Sequence, residues 1–209
     1  MKKVISFDLD GTLVSADYGN RVWLEGIPMA IAEKRGITIE EAYAFVRGEY
    51  DSVGDQHILW YNIEYWLERL GLALDTFELL ARYEHHIQLT PYAKEVIIEL
   101  GRKYDIIIAS NAARIFVEKE IEYAGLAGCF TRVVSATTDY GMVKKEERFF
   151  TRICTDLSVV PQEIAHVGDH LVFDFEIPRK VGIESYYYNQ ALPNNGNVIN
   201  DLRELLGRL

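Results

Sequence analysis

Residues 3–8 (KVISFD) form a short β-branched and aromatic run that stops abruptly at Asp8-Leu9-Asp10-Gly11-Thr12. That pattern predicts a strand ending in a polar, glycine-containing loop. Residues 106–110 (IIIAS) are a second, nearly continuous apolar run. It follows a helical pattern over about 91–103 that opens on Thr90-Pro91, a favourable helix start. A shorter run, 132–136, follows a predicted helix at about 114–124 that stops near Gly125, and 163–168 follows another at about 146–157. The last strand is expected at 184–188 (ESYYY), after a turn at Gly182, and the tail 198–208 is read as a short closing helix. Strands alternating with helices imply βαβ units, hence an α/β fold with a parallel sheet and helices on both faces. Strands buried on both sides read as unbroken apolar runs, as IIIAS does. In open sheets of this kind, ligands bind beyond the carboxyl ends of the strands. Asp8, Ser110 and Asp169 all stand at such ends, so residues remote in sequence are expected to converge on one edge.

Residues 15–88 break the alternation. Helical patterns recur at about 19–35, 39–50, 55–70 and 75–87, with Gly36, Gly54 and Gly71 near the joints. The expectation is a helical bundle inserted between the first two strands: a core of 1–15 and 89–209, and an inserted unit of 16–88. The insert is rich in aromatics, among them Trp23, Tyr50, Trp60 and Trp66. At helical spacing most of these are expected to form the bundle's own core.

Composition narrows the possibilities. The chain has 209 residues, 49% hydrophobic and 26% charged, as an ordinary globular protein does. The formal net charge of −10 repels polyphosphate backbones and argues against non-specific binding to nucleic acid or anionic membranes. A small anionic substrate stays possible, because a bound cation can reverse the field inside a pocket. Asp8 and Asp10 interrupt the N-terminal apolar run, which is too short for a signal peptide, and no stretch approaches a membrane span. A cytoplasmic protein is expected. Cys129 and Cys154 fit no metal or redox spacing and are expected to be reduced interior residues.

Two carboxylates one residue apart at a strand end repel unless a divalent cation sits between them. A carboxylate can also act as a covalent nucleophile, and a second carboxyl can protonate a leaving alkoxide. Gly168-Asp169 and Asp174 bring further acids to the same edge: Asp169 suits a direct Mg²⁺ ligand, and Asp174 a ligand through water or a supporting partner. Ser110 and Asn111, before a helix, are placed to hold a phosphoryl group, although in isolation a simple N-cap is the better explanation. Lys144 and Lys145 stand in a polar loop, where a lysine could neutralise phosphate charge.

Taken together, these four segments resemble the motifs of the haloacid dehalogenase (HAD) superfamily, across nearly the whole chain. The resemblance implies Asp8 as nucleophile, Asp10 as general acid/base, Gly11, Ser110, Asn111 and Lys144 as phosphate-binding groups, and a Rossmann-like core with a helical cap. It implies Mg²⁺ held by Asp8, the backbone carbonyl of Asp10, and Asp169, with Asp174 in support. Lys144 is matched by Gly141 three residues before it and Phe150 six after it, but Lys145 stands where the family usually has proline. His170 and the pair Ile177-Pro178 also depart from the usual pattern. Asp10 favours phosphoryl transfer, since carbon–halogen cleavage needs no acid for an alkoxide. The expected function is therefore Mg²⁺-dependent hydrolysis of a small phosphorylated metabolite through an aspartyl-phosphate, by a monomer or homodimer. A phosphomutase, a carbon–halogen hydrolase and a non-catalytic binding module are the alternatives.

Overall fold

The computed structural model describes residues 1–209. The chain divides into two compact units, Met1–Ser15 with Gln88–Leu209, and Ala16–Ile87.

The first unit is built on a parallel sheet of six strands: β1 (Val4–Phe7), β2 (Asp105–Ser110), β3 (Arg132–Ser135), β4 (Ile164–Gly168), β5 (Glu184–Tyr188) and β6 (Val198–Ile199). Their order is β3-β2-β1-β4-β5-β6. Helices Ala93–Leu100, Arg114–Tyr123 and Glu147–Leu157 connect or precede the strands, so the α/β class holds. After β1 the chain builds outward on one side through β2 and β3, then returns to build the other side from β4. That reversal puts a crevice at the carboxyl end of β1, between β2 and β4. Register fixes its contents: Phe7 pairs with Ile108 on one side and Val167 on the other. The Asp8 N–H continues the ladder to the Val167 carbonyl at 2.8 Å.

β1 and β4 are buried along their whole length, and β2 is buried from Ile106 onward. Leu, Ile and Phe side chains from helix Glu147–Leu157 pack on one face of the sheet, with Phe149, Phe150 and Ile153 against Ile107, Val134 and Ile164. Each side chain of that size, fully buried, contributes roughly 1.5–3 kcal/mol, which is what holds the strand ends in fixed register.

Four local differences from the sequence expectation have simple causes. The tail opens with β6 at Val198–Ile199, and the closing helix is a 3₁₀ turn, Leu202–Gly207, capped by Asp201. A short helix, Ala136–Tyr140, follows β3, capped by the Ser135 hydroxyl. The expected helix at 55–70 is broken at Asn62, whose side chain caps Ile63–Arg69 by accepting from the Tyr65 N–H at 2.8 Å. Cys129 is only half-buried, whereas Cys154 is buried, and both are free thiols.

The second unit is helical throughout. Its first helix, Asp17–Arg21, runs through a π-helical turn into Ile27–Arg35. Ile39–Val53 begins at a capping box: the Thr38 hydroxyl accepts from the Glu41 N–H at 3.3 Å, and the Glu41 carboxylate accepts from the Thr38 N–H at 2.9 Å. Of the four aromatics, Tyr50 and Trp66 are buried and Trp23 and Trp60 half-buried, so the aromatic core is smaller than expected. Trp66 is fully buried and meets Tyr50 edge-on at 4.7 Å, while its indole N–H donates to the Trp60 carbonyl. No helix of the chain is long and apolar enough to cross a membrane.

Thr38→Ala removes half of the capping box, and caps of this kind contribute about 1 kcal/mol. The variant is expected to lower the thermal midpoint of the helical unit by a few degrees, measured by circular dichroism; an unchanged midpoint would mean the cap carries no stability.

Candidate active site

Asp8 follows β1, Ser110 ends β2, and Asp169 follows β4, so the topology places the three at one crevice. Carboxylate oxygens of Asp8, Asp169 and Asp174 all lie within 4.8 Å of one another. Asp8 and Asp174 are buried, and Asp169 is the most open of the three. Two glycines make this density possible. A Cβ on Gly168 would overlap the Asp174 side chain, and one on Gly11, whose φ is +78°, would overlap the Asp169 carboxylate. Only glycine adopts that dihedral freely while letting a side chain approach so near.

The cation inside this cluster is Lys145, not the Lys144 expected from the motif spacing. The Lys145 side chain is fully buried, and its ammonium donates to Asp8 Oδ1 at 2.7 Å and to the Ala109 carbonyl at 3.2 Å. It is also ion-paired with Asp174 Oδ1. Those partners use all three ammonium protons. Lys144 lies over the Phe173 ring, with its nitrogen 5.7 Å from the ring centre. The choice between adjacent lysines is made by Asn111, whose side-chain oxygen accepts the Lys145 backbone N–H at 2.8 Å and fixes the loop. The Asn111 carboxamide is thus a clamp on the lysine loop rather than an evident phosphate ligand.

Asp174 is engaged on both oxygens. Oδ1 meets Lys145 and His166 Nε2, and Oδ2 accepts the His170 N–H at 3.1 Å. His166, on β4, is completely buried beside its cross-strand partner Ser6, whose hydroxyl lies 2.9 Å from Nδ1. Burial keeps this imidazole below its usual pKa, hence neutral. Since Asp174 accepts, Nε2 carries the proton and Nδ1 accepts from Ser6. Ser110 is buried, and its hydroxyl oxygen accepts the Ala112 N–H at 3.0 Å, which leaves the hydroxyl proton to be given elsewhere.

Electrostatics follow from that packing. Burial, then the nearby Asp174, raise the Asp8 carboxyl well above the usual range, and Lys145 only partly opposes them. Asp169 is likewise raised, by burial and then by Asp174. For Asp174, burial is outweighed by Lys145 and His166, and its carboxyl is held well below the usual range. Lys145 stays protonated, because Asp174 and Asp8 overcome the effect of burial. Three carboxylates around one ammonium leave negative charge in excess. Hard oxygen donors at this spacing, two of them with raised pKa values, fit a divalent cation of the Mg²⁺ type between Asp8 and Asp169.

Asp10 carries the least expected contact. Its carboxyl faces Glu120, on helix Arg114–Tyr123, which is completely buried. Neither Glu120 oxygen meets a donor from elsewhere in the chain. Two carboxyl groups bond only if one retains a proton, and burial followed by Asp10 raises Glu120 well above the usual range. Asp10 is raised too, chiefly by burial. Helical periodicity carried a signal for Glu120, which shares a face with Phe116, Val117 and Ile121. His166 was also missed; a histidine inside a strand buried on both faces was the available sign. In the helical unit, Arg21 is paired with Asp17 and Glu25 along its own helix, and His57 caps the turn at Ile58–Tyr61.

Comparison with known proteins agrees with this geometry. The model of the haloacid dehalogenase-like hydrolase family matches residues 2–182. The GMP/IMP nucleotidase YrfG of Escherichia coli is 27% identical over 168 residues, covering 79% of this chain and 73% of that protein. Among solved structures, a HAD phosphatase from Thermococcus onnurineus superposes with a TM-score of 0.80 at 25% identity, covering 100% of this chain and 97% of that one. A 2-haloacid dehalogenase from Pseudomonas syringae has a TM-score of 0.68 at 18% identity over 100% and 99% of the chains, and shares the fold.

Lys145→Met is expected to abolish turnover of a phosphate ester, while Lys144→Ala retains it within about twofold; steady-state assays of both variants decide which lysine serves the site. Glu120 supplies a second prediction, whose sign follows from proton uptake. Its folded pKa lies above its unfolded one, so the stability it contributes is greatest below the ordinary glutamate range and is lost as pH rises. Glu120→Gln removes that loss. Its thermal midpoint should exceed the wild-type value at pH 8, by about 1 kcal/mol or roughly 2–4 °C, with the gap closing toward pH 5; a gap that widens on acidification would contradict the buried pair.

Proposed function

The chain belongs to the haloacid dehalogenase-like hydrolase family, and on that premise we propose that it is a Mg²⁺-dependent phosphatase acting on a small phosphomonoester through an aspartyl-phosphate at Asp8. The observation that carries this reading is the position of Asp8 at the central strand end, 2.7 Å from the Lys145 ammonium and clustered with Asp169. The relatedness to a nucleotidase and to a phosphatase points the same way. So does Asp10, an acid that halide departure would not need.

The residues take the following parts. Asp8 attacks phosphorus while the bond from phosphorus to the leaving oxygen breaks. Asp10, whose carboxyl burial raises above its usual range, gives that oxygen a proton. Water then attacks the phosphorus of the aspartyl-phosphate, Asp10 takes a proton from it, and the Asp8 carboxylate is released with inorganic phosphate. Ser110 and the Gly11 loop hold the phosphoryl oxygens, and Lys145 favours the ionised form of Asp8 and aims it. Asp8, the backbone carbonyl of Asp10, and Asp169 would hold Mg²⁺, with Asp174 fixing Lys145 rather than binding directly. The metal would supply positive charge opposite the nucleophile and the phosphoryl oxygens.

Hydrolysis of p-nitrophenyl phosphate should require Mg²⁺ and stop with a chelator. Asp8→Asn should lose on the order of 10³-fold or more in kcat, and Asp10→Asn roughly 10²–10⁴-fold. Near-native rates in Asp8→Asn would exclude the covalent route.

A further inference from the structure

We infer that the cavity beside Asp169 receives the leaving group of the substrate and that Gln190 there selects leaving groups bearing no second negative charge; this rests on the phosphatase reading above. The cavity has a volume of about 520 Å³, within the range of small-molecule sites. Its lining joins Gly11 and Asp169 to the loop that follows β5, including Asn189, Gln190 and Ala191. It therefore begins at the reacting centre and runs toward a wall made by the core unit alone.

The chemistry of that wall is neutral. Leu89, Pro91 and Ala191 give apolar surface, and Gln88, Asn189 and Gln190 give carboxamides. No lysine, arginine or histidine lines the cavity, and its one ionisable carboxyl is Asp169. Lys145, the cation of the acidic cluster, is 1% exposed and already shared by Asp8 and Asp174. A carboxylate or second phosphate on the leaving group would lose water against this wall and gain no counter-ion from it, which is costly. A hydroxyl- or amide-bearing leaving group meets matching donors and acceptors instead.

The Asn189 and Gln190 carboxamides are held in place before any ligand arrives. Asn189 donates to the Tyr187 hydroxyl at 3.0 Å and accepts from the Ala191 N–H at 3.0 Å, which fixes the loop. Gln190 donates one N–H to the hydroxyl of Tyr188, itself only 5% exposed. That bond leaves the Gln190 carbonyl oxygen and its second N–H for a ligand. Such preorganisation removes part of the ordering cost of recognition. The substrate class that fits is the phosphomonoester of a neutral polyol, the class to which sugar phosphates and nucleoside monophosphates belong.

The test uses matched pairs that differ by one carboxylate: glycerol 3-phosphate against 3-phosphoglycerate, and glucose 6-phosphate against 6-phosphogluconate, with Mg²⁺ present. Each is scored for kcat/KM and as a competitive inhibitor of p-nitrophenyl phosphate hydrolysis, so a preference is read even without turnover. Wild-type protein should favour the neutral member roughly tenfold or more, and Gln190→Lys, which supplies a cation, should shrink that ratio by a similar factor. The ratio within each protein is the readout, so a general loss of activity cancels. Wild-type ratios within about twofold of unity, or an unchanged ratio in Gln190→Lys, would overturn the inference while leaving the phosphatase intact. Failure to hydrolyse p-nitrophenyl phosphate at all would remove the phosphatase reading and this inference with it.

Discussion

The buried ammonium of Lys145 is what allows Asp8 and Asp174 to share one crevice. Without it, three carboxylates from two segments would crowd together with nothing but burial and mutual repulsion between them. Removing one partner from a buried charge cluster commonly costs several kcal/mol, because the remaining charges stay desolvated. Lys145 is held from two directions. Asn111 grips its backbone, and Asp174 receives its ammonium while being fixed by His166 and the His170 N–H. The chain of contacts from Ser6 through His166, Asp174 and Lys145 to Asp8 crosses the two central strands of the sheet. The rigidity of the packed core is thereby delivered to the nucleophile.

One lysine does not balance the cluster, and the imbalance is informative. The raised pKa of Asp8 and Asp169 is the signature of a site short of positive charge. A carboxylate nucleophile must be ionised to attack, so the same arrangement that crowds the acids also calls for a divalent cation. Asp10 stands apart from this economy of charge. Its contact with Glu120 keeps a proton near the reacting centre at a pH where an isolated carboxyl would have lost it.

Much of this was legible in the sequence because parallel strands buried on both faces leave unbroken apolar runs. VISF and IIIAS mark β1 and β2, and the acids and serine that follow them fall at strand ends by topology alone. The topological switch at β1 then explains why segments more than a hundred residues apart meet. What could not be read was decided by contacts beyond local pattern. Adjacent Lys144 and Lys145 differ only in which side of the loop faces inward, and Asn111 settles that from another strand end. Glu120 sits among the charged residues Glu118, Lys119 and Glu122, so charge outweighed the periodicity that placed it inside. Strand β6 is two residues long and offers no period to detect.

The central claim is that Asp8 and Asp169 together form a cation site that Lys145 leaves incomplete. Isothermal calorimetry of Mg²⁺ binding to the wild-type protein and to Asp169→Asn tests it most directly. Saturable binding of a single ion to the wild type, lost or greatly weakened in Asp169→Asn, is the predicted result; equal affinity in the two proteins, or no binding to either, would contradict it.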